Sequence, residues 1–372
     1  MSFFCNLPFT ELHTNGMDAR PCCVFKTVKS MSINRYFDDP ELLSAKQQLL
    51  AGQAPEQCSF CYNQEKNNNN SFRKIAEDFH PDLSKEIRER NDPAYFDLKH
   101  ISYTTSNICN LKCLPCRGAS FVRDAELKKL GISDYTPTLM QNSNFSNIIN
   151  KDFERLTVLG GEPFYDQVTF QLLEELVRTG KSKNIQVDLN TNMTAITAGK
   201  MDFLVNNFRK VLIKASIDGI GTVNEYLRYP SKWNEIEKNI RLVQGFPDVD
   251  IVITSAVSNL AFLKFYQVIE WAAENQFNLF LTHVGHPNIL TAHFLPAIIK
   301  SKLLEIYQEQ KQRLGGKIRD RTEYCIDSCI HVCSKTDTDL SSWPNFIEWI
   351  GKHDQLRKTN VLSVFPELAE YF

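Results

Sequence analysis

From about Leu98 onward the chain alternates short apolar runs with longer amphipathic stretches. Runs rich in Val, Ile and Leu fall at Lys99–Thr104, Arg155–Leu159, Ile185–Leu189, Val211–Ser216, Asp250–Val257 and Leu279–Val284. Their length suits strands, and their composition suits strands buried on both faces. Helical spacing of apolar residues separates them, over Ser120–Leu130, Tyr165–Thr179, Ala198–Asn207, Lys232–Gln244 and Phe262–Gln276; a sixth helix is predicted at Pro296–Leu314. Six strand–helix units predict an α/β fold with a parallel sheet. Right-handed crossovers would curl it into a partial (β/α)6 barrel.

The flanks read differently. Asp39-Pro40-Glu41-Leu42-Leu43 opens a helix with Pro at an early position, where its missing N–H costs nothing, and Gly52 ends it after Ala51. Asn67 to Asn70 reads as a turn or linker, and another helix is predicted over Phe72–Arg90. Residues 315–372 read as mixed and mostly helical, with an aromatic-rich tail from Trp343. The expected division is a small Cys-rich α+β module at 1–95, a core at 96–296 and a helical extension at 297–372.

Composition narrows the class. The 372 residues are 42% hydrophobic and 23% charged, ordinary for a globular chain. A net charge of −2 argues against a broad nucleic-acid surface. No charged n-region with an apolar h-region opens the sequence, and no apolar run reaches the roughly 18 residues of a membrane helix. The expectation is a cytoplasmic protein without membrane contact. Eleven cysteines in such a compartment point to metal or redox use rather than disulfides.

Three of those cysteines, Cys109, Cys113 and Cys116, form C-x3-C-x2-C directly after the first strand of the repeat. Soft thiolates suit iron–sulfur clusters, and three of them leave one iron of a cubane without a protein ligand. An open metal position is where chemistry happens. The bland alternative is a packed or zinc-binding group, but structural zinc usually takes four protein ligands. Gly160-Gly161-Glu162-Pro163 follows the second strand, Asn190-Thr191-Asn192 ends the third, and Ser216-Ile217-Asp218 ends the fourth. Parallel α/β proteins carry their sites at these carboxyl ends, although Gly, Asn, Ser and Asp also serve there simply as turn formers.

The cysteine spacing, the GGEP stretch and the order of the later strand-end residues resemble the radical S-adenosylmethionine enzymes, whose core is a partial TIM-like barrel. The resemblance implies that Cys109, Cys113 and Cys116 are the catalytic ligands of a [4Fe–4S] cluster whose open iron chelates S-adenosylmethionine. One electron would then release a 5′-deoxyadenosyl radical that abstracts hydrogen from substrate. It implies cosubstrate contacts at Gly160, Gly161, Glu162, Pro163, Asn190, Ser216, Asp218 and Arg228, with backbone carbonyls beside Glu162 near the methionyl amino group and Arg228 near its carboxylate. Pro115 departs from the aromatic residue common before the last cysteine. An external donor such as flavodoxin or ferredoxin is the implied source of electrons.

Cys5, the Cys22-Cys23 pair, and Cys58-x2-Cys61 resemble the twitch or SPASM half-module of the same enzymes, here placed before the barrel and with Gly16 one position from the usual hairpin glycine. That implies an auxiliary [4Fe–4S] cluster held by Cys5, Cys22, Cys58 and Cys61; a four-cysteine zinc knuckle is the alternative. Only one of Cys22 and Cys23 is expected to ligate, because strand neighbours face opposite ways. Cys325, Cys329 and Cys333 recur every four residues, about 12 Å from first to last on a helix, and read as packing residues, with a further cluster or a hydrogen-donating cysteine as the alternative. His331 reads as a surface residue, whereas His283 and His286 stand at the end of the sixth strand with no motif to assign them. Substrate class stays open between peptide and small molecule, with a ribosomally made peptide favoured by analogy. A non-catalytic iron–sulfur carrier and a zinc-binding interaction protein are the other classes.

Overall fold

Alternation, not unbroken apolarity, organises the strands. In β6 (Gln186–Thr191) Val187 and Leu189 are fully buried apolar residues, while Asp188 and Asn190 point to the other face. The computed structural model describes residues 3–68, 71–316, 318, 320–335, 337, 338 and 340–372. Within them one nine-stranded sheet runs in the order β3-β2-β1-β4-β5-β6-β7-β8-β9. The strands are β1 (Glu11–Thr14), β2 (Asp18–Arg20), β3 (Met31–Ser32), β4 (His100–Ser106), β5 (Arg155–Gly160), β6, β7 (Lys210–Ser216), β8 (Val249–Val257) and β9 (Asn278–His283). Each neighbouring pair from β4 to β9 is parallel and consecutive in sequence, the order of an incomplete barrel.

The six expected strands are present, but from β4 to β7 their second face carries a row of paired polar residues. Asp188, wholly buried, pairs with Arg155 at 2.5 Å and Lys214 at 2.9 Å. Thr157 links Asp188 to His100, whose Nδ1 meets Glu11 at 2.8 Å. This polar row crosses β1, β4, β5, β6 and β7. Burial works against the Glu11 carboxylate, yet hydrogen bonds from His100 and His13 hold its pKa at about 2.

Glu11 also marks where the amino-terminal stretch joins the core. Strand β1 pairs parallel to β4, and β2 and β3 extend the sheet antiparallel. The β1–β2 turn places Gly16 at φ +89°, where a side chain would strain the backbone and press within 2.8 Å of the Tyr103 hydroxyl. The helices here are α1 (Pro40–Leu50), α2 (Ser59–Asn68), α3 (Phe72–Phe79) and α4 (Pro81–Arg90). Asp39 caps α1 by accepting from the Glu41 and Leu42 amides. The single helix expected over Phe72–Arg90 is two, because Pro81 cannot continue α3 and starts α4 instead. Asn69 and Asn70 of the asparagine run lie outside the described residues.

Helices α5 (Phe121–Lys129), α6 (Gln167–Arg178), α7 (Ala198–Asn207), α8 (Thr222–Leu227), α9 (Trp233–Gln244) and α10 (Asn259–Glu274) fall between the parallel strands. The tail supplies α11 (Ala297–Leu314), α12 (Asp320–Cys333) and α13 (Trp343–Arg357). Phe346 and Ile350 of α13 are fully buried in the main core, so the tail is packed on the sheet layers and does not trail from them. Among the described residues no helix is long and apolar enough to cross a membrane.

Candidate metal and cofactor site

The three-cysteine loop leaves β4 at its carboxyl end and is held on every side by backbone bonds. Lys112 N–H donates to the Tyr229 carbonyl at 2.6 Å, Leu114 N–H to Leu227 at 2.8 Å and Phe121 N–H to Asn107 at 2.8 Å. The Leu111 amide points at the Cys109 sulfur, 3.4 Å away. Cys113 is buried and Cys109 and Cys116 are half-buried; all three are free thiols. Burial raises the Cys109 pKa to about 11 and that of Cys116 to about 12, and the nearness of Cys113 adds to both shifts. Such thiols stay protonated at neutral pH unless a cation replaces the proton.

Gly160 and Gly161 are required by the loop itself. A Cβ on Gly160 would lie 2.3 Å from the Ser106 carbonyl oxygen, and one on Gly161 would lie 1.9 Å from that of Ile108. The close approach lets Gly161 N–H donate to Ser106 at 2.9 Å and Glu162 N–H to Ile108 at 2.8 Å. Glu162 is buried, and burial raises its pKa. Its carboxylate accepts from the Asn192 amide at 2.6 Å, the Thr191 hydroxyl at 2.6 Å and the Phe164 amide at 3.2 Å. Glu162 thus ties the end of β5 to the end of β6, and Pro163 is buried beside it.

The β6 end reaches back to the cysteines. Asn192 Nδ2 donates to Asn110 at 2.9 Å and lies 4.0 Å from the Cys109 sulfur, while Asn110 donates to Thr194 at 2.8 Å. Asn190 carries a buried Oδ1 with no partner among the described residues. Ser216 closes β7, half-buried. Asp218 is buried, accepts from the Ala256 amide at 2.8 Å and pairs with Arg228 at 2.7 Å. The Nε of Arg228 is buried without a partner among the described residues, and the guanidinium lies close enough to Cys109 and Cys113 to interact with both. An orphaned guanidinium nitrogen beside Cys109 and Cys113 suits a bound group with an anionic end, such as a carboxylate.

In the amino-terminal stretch Cys5, Cys22, Cys58 and Cys61 line one small pocket, closed by Pro8, Phe25 and Arg73. Cys23 is exposed and absent from that lining. Burial raises all four thiols, to about 12 for Cys58, and each interacts with others of the set. Arg73 bonds Glu65 at 2.5 Å and the Phe4 carbonyl at 2.9 Å, closing the pocket floor. Among the described residues no three His, Cys, Asp or Glu side chains converge on a single ion-sized point.

Cys325, Cys329 and Cys333 stay on one unbroken helix, α12, each at most 1% exposed. The Cys325 thiol donates to the Leu279 carbonyl at 3.4 Å. His286 and His331 are exposed. His283 meets Ser328 at 2.9 Å, its Nδ1 is buried without a partner among the described residues, and burial lowers its pKa to about 4.

Other residues at this site carry no sequence signal. Arg123 and Glu126 of α5 and His353 and Arg357 of α13 form a buried cluster against the cysteine loop. Asn110 and Thr194 likewise read as loop residues until the fold brings them together.

No protein-family model matches the chain, and no curated protein matches it. Matches among solved structures include native anSMEcpe with bound AdoMet and the Kp18Cys peptide, at 21% identity and a TM-score of 0.41, covering 59% of this chain and 62% of that one. They also include Streptococcus suis SuiB bound to S-adenosylmethionine, at 13% and 0.37, covering 73% and 62%. SuiB bound to the precursor peptide SuiA gives 14% and 0.36, covering 88% and 68%. The chain spans less than two thirds of the first of these, and the likeness is loose.

Proposed function

We propose that the chain is a radical S-adenosylmethionine enzyme with a three-cysteine cluster site and an auxiliary cluster in its amino-terminal stretch. One observation carries the reading: the three-thiol loop is bonded backbone to backbone onto Gly161 and Glu162, and Asn192 stands beside Cys109. The motifs at three strand ends therefore form one site. The donor set fits a [4Fe–4S] cluster, since three soft thiols whose pKa is raised by burial need a cationic partner to ionise. When bound, that cluster would supply the electron that cleaves S-adenosylmethionine.

The chain's own residues would then act as follows. Cys109, Cys113 and Cys116 ligate, leaving one iron open. Arg228, oriented by Asp218, offers its free Nε to the methionyl carboxylate. Asn190 offers its free oxygen to the amino group. Gly160, Gly161 and Pro163 set the distance between β5 and the loop, and Glu162 acts through the strand ends it joins. Ser216 stands at the rim, near the ribose. Cys5, Cys22, Cys58 and Cys61 would close the auxiliary cluster. We take residues 1–95, 96–296 and 297–372 as auxiliary module, core and extension of a cytoplasmic enzyme served by a flavodoxin- or ferredoxin-like donor. A peptide is the substrate class we favour, by analogy with enzymes carrying such modules.

Metal analysis after anaerobic reconstitution tests this. The parent chain should hold about eight irons, and the Cys109→Ala/Cys113→Ala/Cys116→Ala variant about four. A colourless triple variant containing zinc would overturn the auxiliary assignment, and unchanged iron would overturn the main one.

A further inference from the structure

We propose that α13 is a positioning element of the cysteine loop: Arg357, together with Arg123, fixes the backbone on both sides of Cys113. The proposal rests on reading that loop as the cluster site and assigns the tail a part in it. The carbonyls flanking Cys113 belong to Lys112 and Leu114. Arg357 Nη2 donates to the first at 2.5 Å and Arg123 Nη2 to the second at 2.8 Å. The amides of the same two residues are taken by Tyr229 and Leu227. All four backbone groups around this one thiol are therefore fixed from outside the loop.

The arginines are themselves held. Glu126 accepts from Arg357 at 3.0 and 2.6 Å and also pairs with Arg123. His353 Nδ1 faces the Trp349 carbonyl at 2.6 Å and so carries the proton, which leaves Nε2 to accept from Arg123 at 2.8 Å. Arg123 is fully buried, and His353 and Arg357 are nearly so. The same helix grips the other wall of the loop. Asp354 accepts from Tyr226 at 2.9 Å, and the Arg357 guanidinium covers the Tyr229 ring at 5.0 Å. Burying the Arg357 guanidinium of α13 beside Arg123 and Glu126 of α5 is costly for packing alone, and both guanidiniums spend a donor on a carbonyl of the cysteine loop.

The test begins with the iron-free chain, whose outcome does not depend on a cluster. In Arg357→Met, maleimide should label Cys113 at least roughly tenfold faster, the scale of losing a charged hydrogen bond to the loop. Labelling of Cys58 and Cys61 should not change. Arg357→Lys keeps the charge and the fold but cannot fork onto both Glu126 and Lys112, so it should also speed Cys113 labelling. Unchanged labelling in the Lys variant, or equal acceleration at every buried thiol, would overturn the proposal. The reconstituted Lys variant supplies the second readout. Its reduced-cluster EPR spectrum should respond less to added S-adenosylmethionine than the parent's, and an identical response would leave Arg357 a stabilising residue only. A parent chain without iron at Cys109, Cys113 and Cys116 would instead defeat the cluster reading, whatever the labelling shows.

Discussion

Replacing Gly161 with Ala should separate the cysteine loop from the end of β5. The added Cβ would stand 1.9 Å from the Ile108 carbonyl oxygen, 2.4 Å from its carbon and 2.9 Å from the Ile108 nitrogen. These are backbone atoms, with no rotamer to yield. Ordinary contact begins near 3.4 Å, so loop and strand end must part by about 1.5 Å. That displacement breaks the bonds from Gly161 to Ser106 and from Glu162 to Ile108. Overpacking costs roughly 1–3 kcal/mol and two backbone hydrogen bonds about 1 kcal/mol each, giving about 3–5 kcal/mol in total. Gly199→Ala is the control. It lies in the first turn of α7 with nothing within 4 Å of its added Cβ, and helix propensity should stabilise it by up to about 1 kcal/mol. Urea unfolding of the iron-free chains, followed by circular dichroism, measures both. Gly161→Ala should unfold well below the parent and Gly199→Ala at or above it. Equal midpoints for all three would refute the steric argument.

Acid sensitivity follows from the buried histidines. Burial lowers His353 to about 3 and His283 to about 4, so the folded chain binds fewer protons than the unfolded chain below about pH 6.5. Stability should be complete above pH 6.5 and fall by about 1 kcal/mol per pH unit for each histidine as the pH drops towards 4. His353→Gln, which keeps an acceptor for Arg123, should flatten that slope; an unchanged urea-midpoint profile would count against it. In the Cys109/Cys113/Cys116 variant, replacing Cys58 and Cys61 as well should remove the remaining brown absorbance, and its persistence would mean that other ligands hold the auxiliary cluster. Cys329→Ala should cost about 1 kcal/mol and no iron, whereas a loss of about four irons would reveal a further cluster on α12.

The main fold was legible because each parallel strand is short, apolar on at least one face and followed by a helical period. Its polar second face was not, since Asp188 and Lys214 make sense only when four neighbouring strands bring Arg155, Thr157 and His100 to them. The sheet extension was equally hidden. Glu11–Thr14 is a four-residue segment with one strong apolar position, and its pairing with β4 is set by contacts across nearly ninety residues of chain.

At the site, the cysteines and the GGEP stretch announced themselves by spacing, but the steric demand met by the glycines did not. They admit the cysteine loop itself, as the contacts of Gly160 and Gly161 with Ser106 and Ile108 show. Glu162 is already occupied by three donors and acts as a joint between strands. Arg357 carries no local signal at all. An arginine near the end of an amphipathic helix usually faces water, and only tertiary packing shows that this one meets a carbonyl 245 residues away.

Product analysis tests the central claim most directly. The chain, reconstituted anaerobically with iron and sulfide, is mixed with S-adenosylmethionine and a strong reductant, and 5′-deoxyadenosine is quantified. The parent should form it, and the Cys109→Ala/Cys113→Ala/Cys116→Ala variant should form none while keeping its fold and auxiliary iron. Equal product from both, or none from a parent carrying its full iron complement, would contradict the account.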